Sequence, residues 1–190
     1  MQKIIDAAME YIRVLFAADH GGHDLQHSLR VYRNALTLAE EEPGCDLLTV
    51  QLAALLHDAD DHKLFATENN ANARKFLGSM QVDEETIEAI CEAINSVSFS
   101  KNRGRRPGTL EGKIVQDADR LDAMGAIGIA RTFAFGGQHQ RPLSDSVKHF
   151  HEKLLLLKDE MNTEAGKKMA QLRHSRMVEF LDALTQEGFL

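Results

Sequence analysis

The chain has 190 residues and a formal net charge of −7, and its 43% hydrophobic and 27% charged content is that of an ordinary globular protein. This length predicts one domain that can bury a core without disulfides. The acidic balance argues against a nucleic acid polymer as partner, because a phosphate backbone would be repelled. Only Cys45 and Cys91 are present, neither in a CxxC motif, which predicts a reducing compartment and no disulfide.

The N-terminal segment MQKIIDAAMEYIRVLF carries Asp6 and Glu10 inside its apolar pattern. It therefore lacks the uninterrupted apolar stretch of a signal peptide. No segment reaches the roughly 18 apolar residues that cross a bilayer. We expect a cytoplasmic protein with no membrane partner.

Apolar residues recur at steps of three and four along the chain, which is typical of amphipathic helices. In chain order these stripes are Leu25, Leu29, Tyr32, Leu36 and Ala39; Leu48, Leu52 and Leu55; Ile87, Ile90, Cys91, Ile94 and Val97; Val147, Phe150, Leu154 and Leu157; and Met169, Leu172, Met177, Phe180 and Leu184. No run alternates with period two over a strand's length. The pattern predicts an all-α, irregular helical bundle.

Glycine and proline are expected to separate the helices. The breaks are Gly21-Gly22, Pro43-Gly44, Gly78-Ser79, the stretch from Gly104 to Gly108, and Gly136-Gly137 leading to Pro142. None is long enough for an interdomain linker. We therefore expect a single domain over residues 1–190, with C-terminal helices in 143–188 packing on the rest.

Two segments combine histidine with carboxylates in an apolar context. In GHDLQHSLRVYRNA, His23 and His27 are four residues apart and would share a helix face. In LAALLHDADDH, the pair His57-Asp58 ends an apolar helix. Burying such a pair is costly unless a divalent cation compensates both groups. The alternative is a histidine paired with its neighbouring carboxylate without metal.

A third cluster, KIVQDADRLDAMGAIGIARTF, places Asp117, Asp119 and Asp122 within two helical turns. Three acids on a partly apolar helix point to cation ligands. The alternative is a solvated face with Arg120 as an intrahelical partner.

The chain resembles the H…HD…D signature of the HD superfamily of metal-dependent phosphohydrolases, through His27, then His57-Asp58, then the DADRLD segment. The resemblance runs from about residue 19 to 135. It is closest to the small single-domain bacterial branch of the YedJ type, through the HDxxH, LLHD and QDADRLDAxGAIGIARTF segments. It implies an HD-domain helical bundle around a metal site.

The resemblance makes His27 the first metal ligand, His57 and Asp58 the second and third, and Asp119 the fourth. Asp119 is preferred because the family's last ligand follows an alanine and precedes Arg-Leu or Lys-Leu, but Asp117 stays open. Such ligands suit one divalent cation, whether Mn²⁺, Mg²⁺, Co²⁺, Ni²⁺, Fe²⁺ or Zn²⁺. Only His62 lies between the HD pair and the last aspartate, whereas members with two metals carry extra histidines there, so a mononuclear site is expected.

Asp61 and Lys63, which follow the His57-Asp58 pair in the chain, are candidates for catalysis. Asp61 lies four residues after His57, and helical spacing would bring it beside a metal-bound water for proton transfer. Lys63 would contact phosphate. The alternative is that Asp58 to Asp61 end a helix in solvent.

Further basic residues would bind substrate. His23 would support the first ligand or contact substrate. Lys101 belongs to the basic loop FSKNRGRRPG, which either draws a polyphosphate to the metal or lies in solvent far from it. Arg120 and Arg131 would hold phosphate or the DADRLD acids. The aromatic side chains Phe99, Phe133 and Phe135 are expected in the core.

The implied activity is metal-dependent hydrolysis of a nucleotide or another small phosphoester, and nucleoside triphosphate pyrophosphohydrolysis is one activity of similar small HD proteins. The alternative is a non-catalytic metal- or nucleotide-binding HD module that regulates a partner. A third hypothesis is a helical interaction protein whose histidines and aspartates are structural. The sequence is compatible with a homodimer.

Overall fold

The structure, a computed structural model, describes residues 1–17, 25–62, 64–98, 102 and 105–189. These ranges contain nine α-helices, one 3-10 helix and no strand, which confirms the all-α prediction. None of the described helices is both long and apolar enough to cross a membrane. The chain divides into two units, Met1–Asp119 and Arg120–Leu190. The single domain over 1–190 stays a prediction.

The described residues of the first unit form six helices in chain order. They are α1 (Gln2–Leu15), α2 (Leu25–Glu40), α3 (Leu47–Leu56), α4 (Ala71–Ser79), α5 (Glu84–Val97) and α6 (Leu110–Asp122), the last of which runs three residues beyond the unit boundary. Helix α3 packs against α1, α2 and α5. It is buried on nearly every side, as expected of a helix that is apolar all round.

Helix α3 starts and stops at residues that set the position of the HD pair. Its N-cap is Asp46, whose carboxylate accepts hydrogen bonds from the backbone N–H groups of Leu48 and Thr49. It ends at Leu56, so His57 and Asp58 lie immediately beyond its C-terminus, as the sequence predicts.

The buried face of α2 is not its apolar stripe. The predicted stripe, from Leu25 to Ala39, is only half-buried. The buried residues lie on the neighbouring face and are His27, Ser28, Val31, Asn34, Ala35 and Leu38. The apolar pattern predicted the helix correctly, but it does not mark the buried face, because three polar side chains of this helix, His27, Ser28 and Asn34, are buried as well.

The helical spacing predicted for Asp61 is also wrong. Helix α3 ends at Leu56, and residues 57 to 60 form a turn in which the Asp61 backbone N–H donates to the carbonyl oxygen of Asp58 at 3.1 Å. Asp61 therefore does not lie one helical turn above His57, and its position depends on this turn.

Three hydrogen bonds between this turn and α4, which we call the clasp, were not predicted. The Asp60 carboxylate accepts hydrogen bonds from the backbone N–H groups of Asn72 (2.9 Å) and Ala73 (3.1 Å). In return, the Asn72 side-chain amide donates to the carbonyl oxygen of Ala59 at 2.8 Å. Asn70, the residue at the N-cap position of α4, makes no side-chain cap bond. Asp60 thus satisfies helix donors that would otherwise have no partner in the helix.

The second unit contains α7 (Gly125–Gln138), α8 (Leu143–Glu152), a 3-10 helix (Leu154–Glu160) and α9 (Glu164–Gln186). The predicted break from Gly136-Gly137 to Pro142 begins later than expected, since α7 continues through both glycines to Gln138 and α8 begins at Leu143. A Cβ atom at Gly136 would lie 2.6 Å from Ser146 Oγ on α8. This glycine therefore permits a close approach of two helices.

Aromatic side chains of the second unit cluster around the buried Phe150, where Phe133 and Phe180 are half-buried. The ring of Phe133 packs near those of Phe150 and Phe180, with ring centroids 6.0 and 5.6 Å away. Phe135 is 42% exposed, so its prediction as a core residue was wrong; its ring stacks on His139. Phe99 lies outside the described residues.

Candidate metal centre

Three segments of the first unit bring four side chains together. His27 comes from α2, His57 and Asp58 from the turn after α3, and Asp119 from α6. The Nε2 atoms of His27 and His57 are 3.2 Å apart, and Asp58 Oδ2 lies 3.4 Å from each of them. Asp119 Oδ1 lies 3.4 Å from His27 Nε2 and 3.9 Å from His57 Nε2. His27, His57 and Asp119 form a candidate metal site in which one ligand atom of each lies within 4.8 Å of the others.

These separations fit atoms that share one cation. Ligand atoms bound at about 2.1 Å lie about 3.0–3.4 Å apart when they are neighbours around a tetrahedral or octahedral ion, and about 4.2 Å apart when they are opposite. The observed range of 3.2–3.9 Å lies between these limits. Two imidazole nitrogens and two carboxylate oxygens are also donors of the right chemical type for a divalent transition metal.

The site is screened from water. His27 is 3% exposed and Asp58 is 7% exposed, and the Asp119 side chain is 26% exposed. Buried carboxylates are costly unless a positive charge compensates them. The Asp119 side chain, as the most accessible of the four, marks the side from which water or a ligand can reach the cluster.

The charges of the cluster change the protonation of its members. Burial opposes protonation of His57, but the carboxylates of Asp58 and Asp119 outweigh it and raise the pKa of this imidazole. Burial would raise the pKa of Asp119, but its hydrogen bond to His27 and the two nearby imidazoles lower that pKa instead. Positive charge in this cluster is therefore favoured, which is what a cation would supply.

The orientation of His57 favours metal binding. Its Nδ1 lies 2.9 Å from the carbonyl oxygen of Ala54, and a carbonyl can only accept, so Nδ1 carries the proton of the neutral ring. The lone pair then resides on Nε2, which faces His27, Asp58 and Asp119. Ligating histidines are commonly held in this way by a hydrogen bond to the other ring nitrogen.

The three acids of DADRLD have different surroundings. Asp117 is fully buried, and Asp119 is the one whose carboxylate contacts the two histidines. Asp122 is buried and forms an ion pair with Arg131. The alternative of a solvated acidic face is wrong, because Asp117 and Asp122 are excluded from water.

Arg120 has a partner outside α6. Its guanidinium is 4% exposed and pairs with Glu160, with Nη2 at 3.2 Å from Oε2 and Nη1 donating to the Glu160 carbonyl oxygen. Arg131 holds Asp122, as one of its two predicted roles requires.

The remaining predicted catalytic and substrate-binding residues are His23, Asp61, Lys63 and Lys101. His23, Lys63 and Lys101 lie outside the described residues. Asp61 is described: its side chain is 17% exposed, and Oδ1 lies 4.0 Å from His62 Nδ1.

Sequence reasoning did not single out two residues that make hydrogen bonds next to the cluster in the chain, Asn34 to Ala118 and Asp60 to α4. Asn34 lies seven residues after His27, so helical periodicity places it on the same face two turns later. That spacing could have singled it out. Asp60 could not have been found in this way. Its hydrogen-bond partners, the backbone N–H groups of Asn72 and Ala73, lie on a different helix and are not related to it by helical periodicity.

Comparison with known proteins places this geometry in a family. The HD domain model matches residues 24–124. YpgQ of Bacillus subtilis, an uncharacterised protein, is 37% identical over 186 residues, covering 93% of this chain and 90% of YpgQ.

Solved structures agree with this match. A crystal structure of YpgQ in complex with ADP superposes with a TM-score of 0.83 at 34% identity, covering 97% of each chain. An HD-superfamily hydrolase from Bacillus thuringiensis superposes with a TM-score of 0.82 at 39% identity, covering 98% of this chain and 97% of the other. The matched residues 24–124 include all four members of the cluster, and the chain belongs to the HD domain family.

Proposed function

We propose that this protein is a metal-dependent phosphohydrolase that acts on a nucleotide or another small phosphoester. The observation that carries the proposal is the convergence of His27 Nε2, His57 Nε2, Asp58 Oδ2 and Asp119 Oδ1 in a chain of the HD family. The four side chains would hold one divalent cation. Asp119 is preferred over Asp117 as the fourth ligand because its carboxylate oxygen is within 3.4 Å of His27.

The donor atoms limit the bound metal to a small group of divalent cations. Imidazole and carboxylate together suit Mn²⁺, Fe²⁺, Co²⁺, Ni²⁺ or Zn²⁺, and Mg²⁺ is a further candidate. A divalent cation bound here would polarise a phosphoryl oxygen, lower the pKa of a coordinated water and offset charge that develops on phosphate.

The protein's own groups would supply binding and proton transfer. Asp61 follows the ligand pair in the same turn, and its partly exposed carboxylate is our candidate for moving a proton. Lys63, His23 and Lys101 are proposed to contact the phosphorylated substrate. Arg120 and Arg131 are weaker candidates for that contact, since Glu160 and Asp122 already engage them.

A nucleotide is the substrate class that the relatives favour. YpgQ, which shares the fold over 97% of this chain, has been crystallised with ADP. We propose that this protein also binds a nucleotide, and that release of pyrophosphate from a nucleoside triphosphate is the activity to test first.

The test is hydrolysis of nucleoside triphosphates, nucleoside monophosphates and simple phosphomonoesters by the purified protein. Mn²⁺, Mg²⁺, Co²⁺ or Ni²⁺ is added after chelation, and phosphate and pyrophosphate are assayed separately. Pyrophosphate release would support nucleotide pyrophosphohydrolysis, whereas phosphate alone would indicate a phosphatase. Metal binding without hydrolysis of any compound would contradict the proposed enzyme and favour the regulatory module.

A further inference from the structure

A buried amide links the helix of the first ligand to the helix of the last. Asn34 lies on α2 and is 9% exposed. Its side-chain Nδ2 donates a hydrogen bond of 3.0 Å to the backbone carbonyl oxygen of Ala118 on α6. Ala118 is fully buried and immediately precedes Asp119.

Each end of this hydrogen bond lies on the same helix as one of the proposed ligands. On α2, His27, Val31 and Asn34 are all buried on one face, so the amide and the first ligand share a helix face. On α6, the bond reaches the peptide unit that joins Ala118 to Asp119. A carbonyl oxygen has two lone pairs and can accept this amide in addition to a helical N–H. The bond therefore restrains the axial position of α6 relative to α2.

We propose that Asn34 is a positioning residue that holds the Asp119 carboxylate at ligand distance from His27, and so raises the affinity of the site for a divalent cation. This inference rests on the proposed metal site. Asp119 Oδ1 and His27 Nε2 are 3.4 Å apart although they come from different helices. A metal bond tolerates displacements of only about 0.2 Å, so a slide or rotation of α6 on α2 would weaken the site.

A second amide on α6 provides a matched control. The buried Gln116 donates from Nε2 to the carbonyl oxygen of Ser96 on α5 at 2.7 Å. It anchors the same helix by the same kind of bond, but its partner carries no ligand. A purely structural role predicts equal consequences for Asn34 and Gln116, whereas a positioning role predicts that only Asn34 controls cation binding.

The experiment measures Mn²⁺ binding to the metal-free, full-length protein by titration calorimetry. Asn34→Leu removes the donor at similar volume, and Gln116→Met does the same for the control. We expect the Mn²⁺ dissociation constant of Asn34→Leu to rise about 10-fold, the lower end of the effect of losing a group that supports a ligand. Gln116→Met should bind Mn²⁺ as the wild type does, even where its thermal stability is lower.

Asn34→Ala serves the same purpose if leucine prevents folding, because it removes the donor without adding volume. Wild-type affinity in a folded Asn34 variant would overturn the inference, and so would equal weakening in the Asn34 and Gln116 variants. Either of these results leaves the proposed metal site intact, because the wild type still binds Mn²⁺. A wild type that binds none of Mn²⁺, Co²⁺, Ni²⁺ and Zn²⁺ would overturn the metal site and the role of Asn34 together.

Discussion

The imidazoles of His27 and His57 meet edge to face, with ring centroids 5.1 Å apart and Nε2 atoms separated by 3.2 Å. The first ring belongs to α2 and the second to the turn after α3, and the Nε2 atom of each lies 3.4 Å from Asp58 Oδ2. The two Nε2 atoms and Asp58 Oδ2 lie 3.2–3.4 Å from one another, which is the separation of neighbouring ligand atoms around one cation. They are well arranged to share a cation, and the first prediction tests this.

Replacing His57 by alanine should remove both bound metal and hydrolysis. We expect activity to fall by more than about 100-fold, since even groups that only support a ligand are worth about 10- to 100-fold. Metal content is measured by atomic emission after dialysis, and activity by phosphate and pyrophosphate release. His151→Ala, which changes an exposed histidine of α8, is the control. Full activity in His57→Ala would refute the site assignment.

The fourth ligand is decided by comparing Asp119→Asn with Asp117→Asn. Asp119→Asn should release the cation, because its carboxylate oxygen is the one near His27 and His57. Asp117→Asn should keep the cation but lower the free energy of unfolding by about 1–3 kcal/mol, the cost of disturbing a buried polar group. Metal content and denaturant unfolding are measured for both variants. Loss of metal from Asp117→Asn alone would reverse the assignment.

Asp61→Asn should retain the metal and lose turnover. The amide keeps the shape of the side chain but cannot take up a proton as the carboxylate does. Single-turnover hydrolysis and metal content are the two readouts. Unchanged turnover would mean that Asp61 merely ends the turn in solvent, and loss of metal would make it a ligand instead of a catalyst.

Asp60→Ala should destabilise the fold through α4. The backbone N–H groups of Asn72 and Ala73 would lose their carboxylate acceptor. Loss of a helix cap costs about 1 kcal/mol of the free energy of unfolding, which urea denaturation can measure. Asp60→Asn retains an acceptor oxygen and should lose much less. Equal stability of the alanine variant and the wild type would show that the clasp contributes nothing.

His149 should make the protein less stable in mild acid. Burial, with help from Lys153 and Arg141, lowers the pKa of this imidazole below 6.5. The unfolded chain therefore takes up a proton more readily than the folded one. The stability that the neutral ring provides is complete above pH 6.5 and is lost as the pH falls through the lower folded pKa.

The measurement is the urea midpoint at several pH values between 7.5 and 5. His149→Gln should flatten the decline relative to the wild type. His151→Gln, at an exposed position of the same helix, should leave the slope unchanged. An unaltered slope in His149→Gln would contradict the role of His149.

The residues alone were sufficient to predict the fold class and the segments that meet in the candidate site. Three- and four-residue apolar periodicity depends on local helix geometry, so it predicted α5 and its buried face correctly. It also predicted α2, but the buried face of that helix carries His27 and Asn34 and is not the apolar stripe. Buried polar groups depart from the rule that apolar residues mark the buried face of a helix.

Only the tertiary structure decided which atoms meet. The sequence could not choose between Asp117 and Asp119 by spacing, because the choice depends on how α6 is rotated against α2 and α3. Nor could it find the bond from Asn34 to Ala118 or the clasp made by Asp60, since both join residues distant in the sequence. Local sequence patterns specify helices and the chemical types of their side chains. Packing between helices sets the distances of a few ångströms on which a shared cation depends.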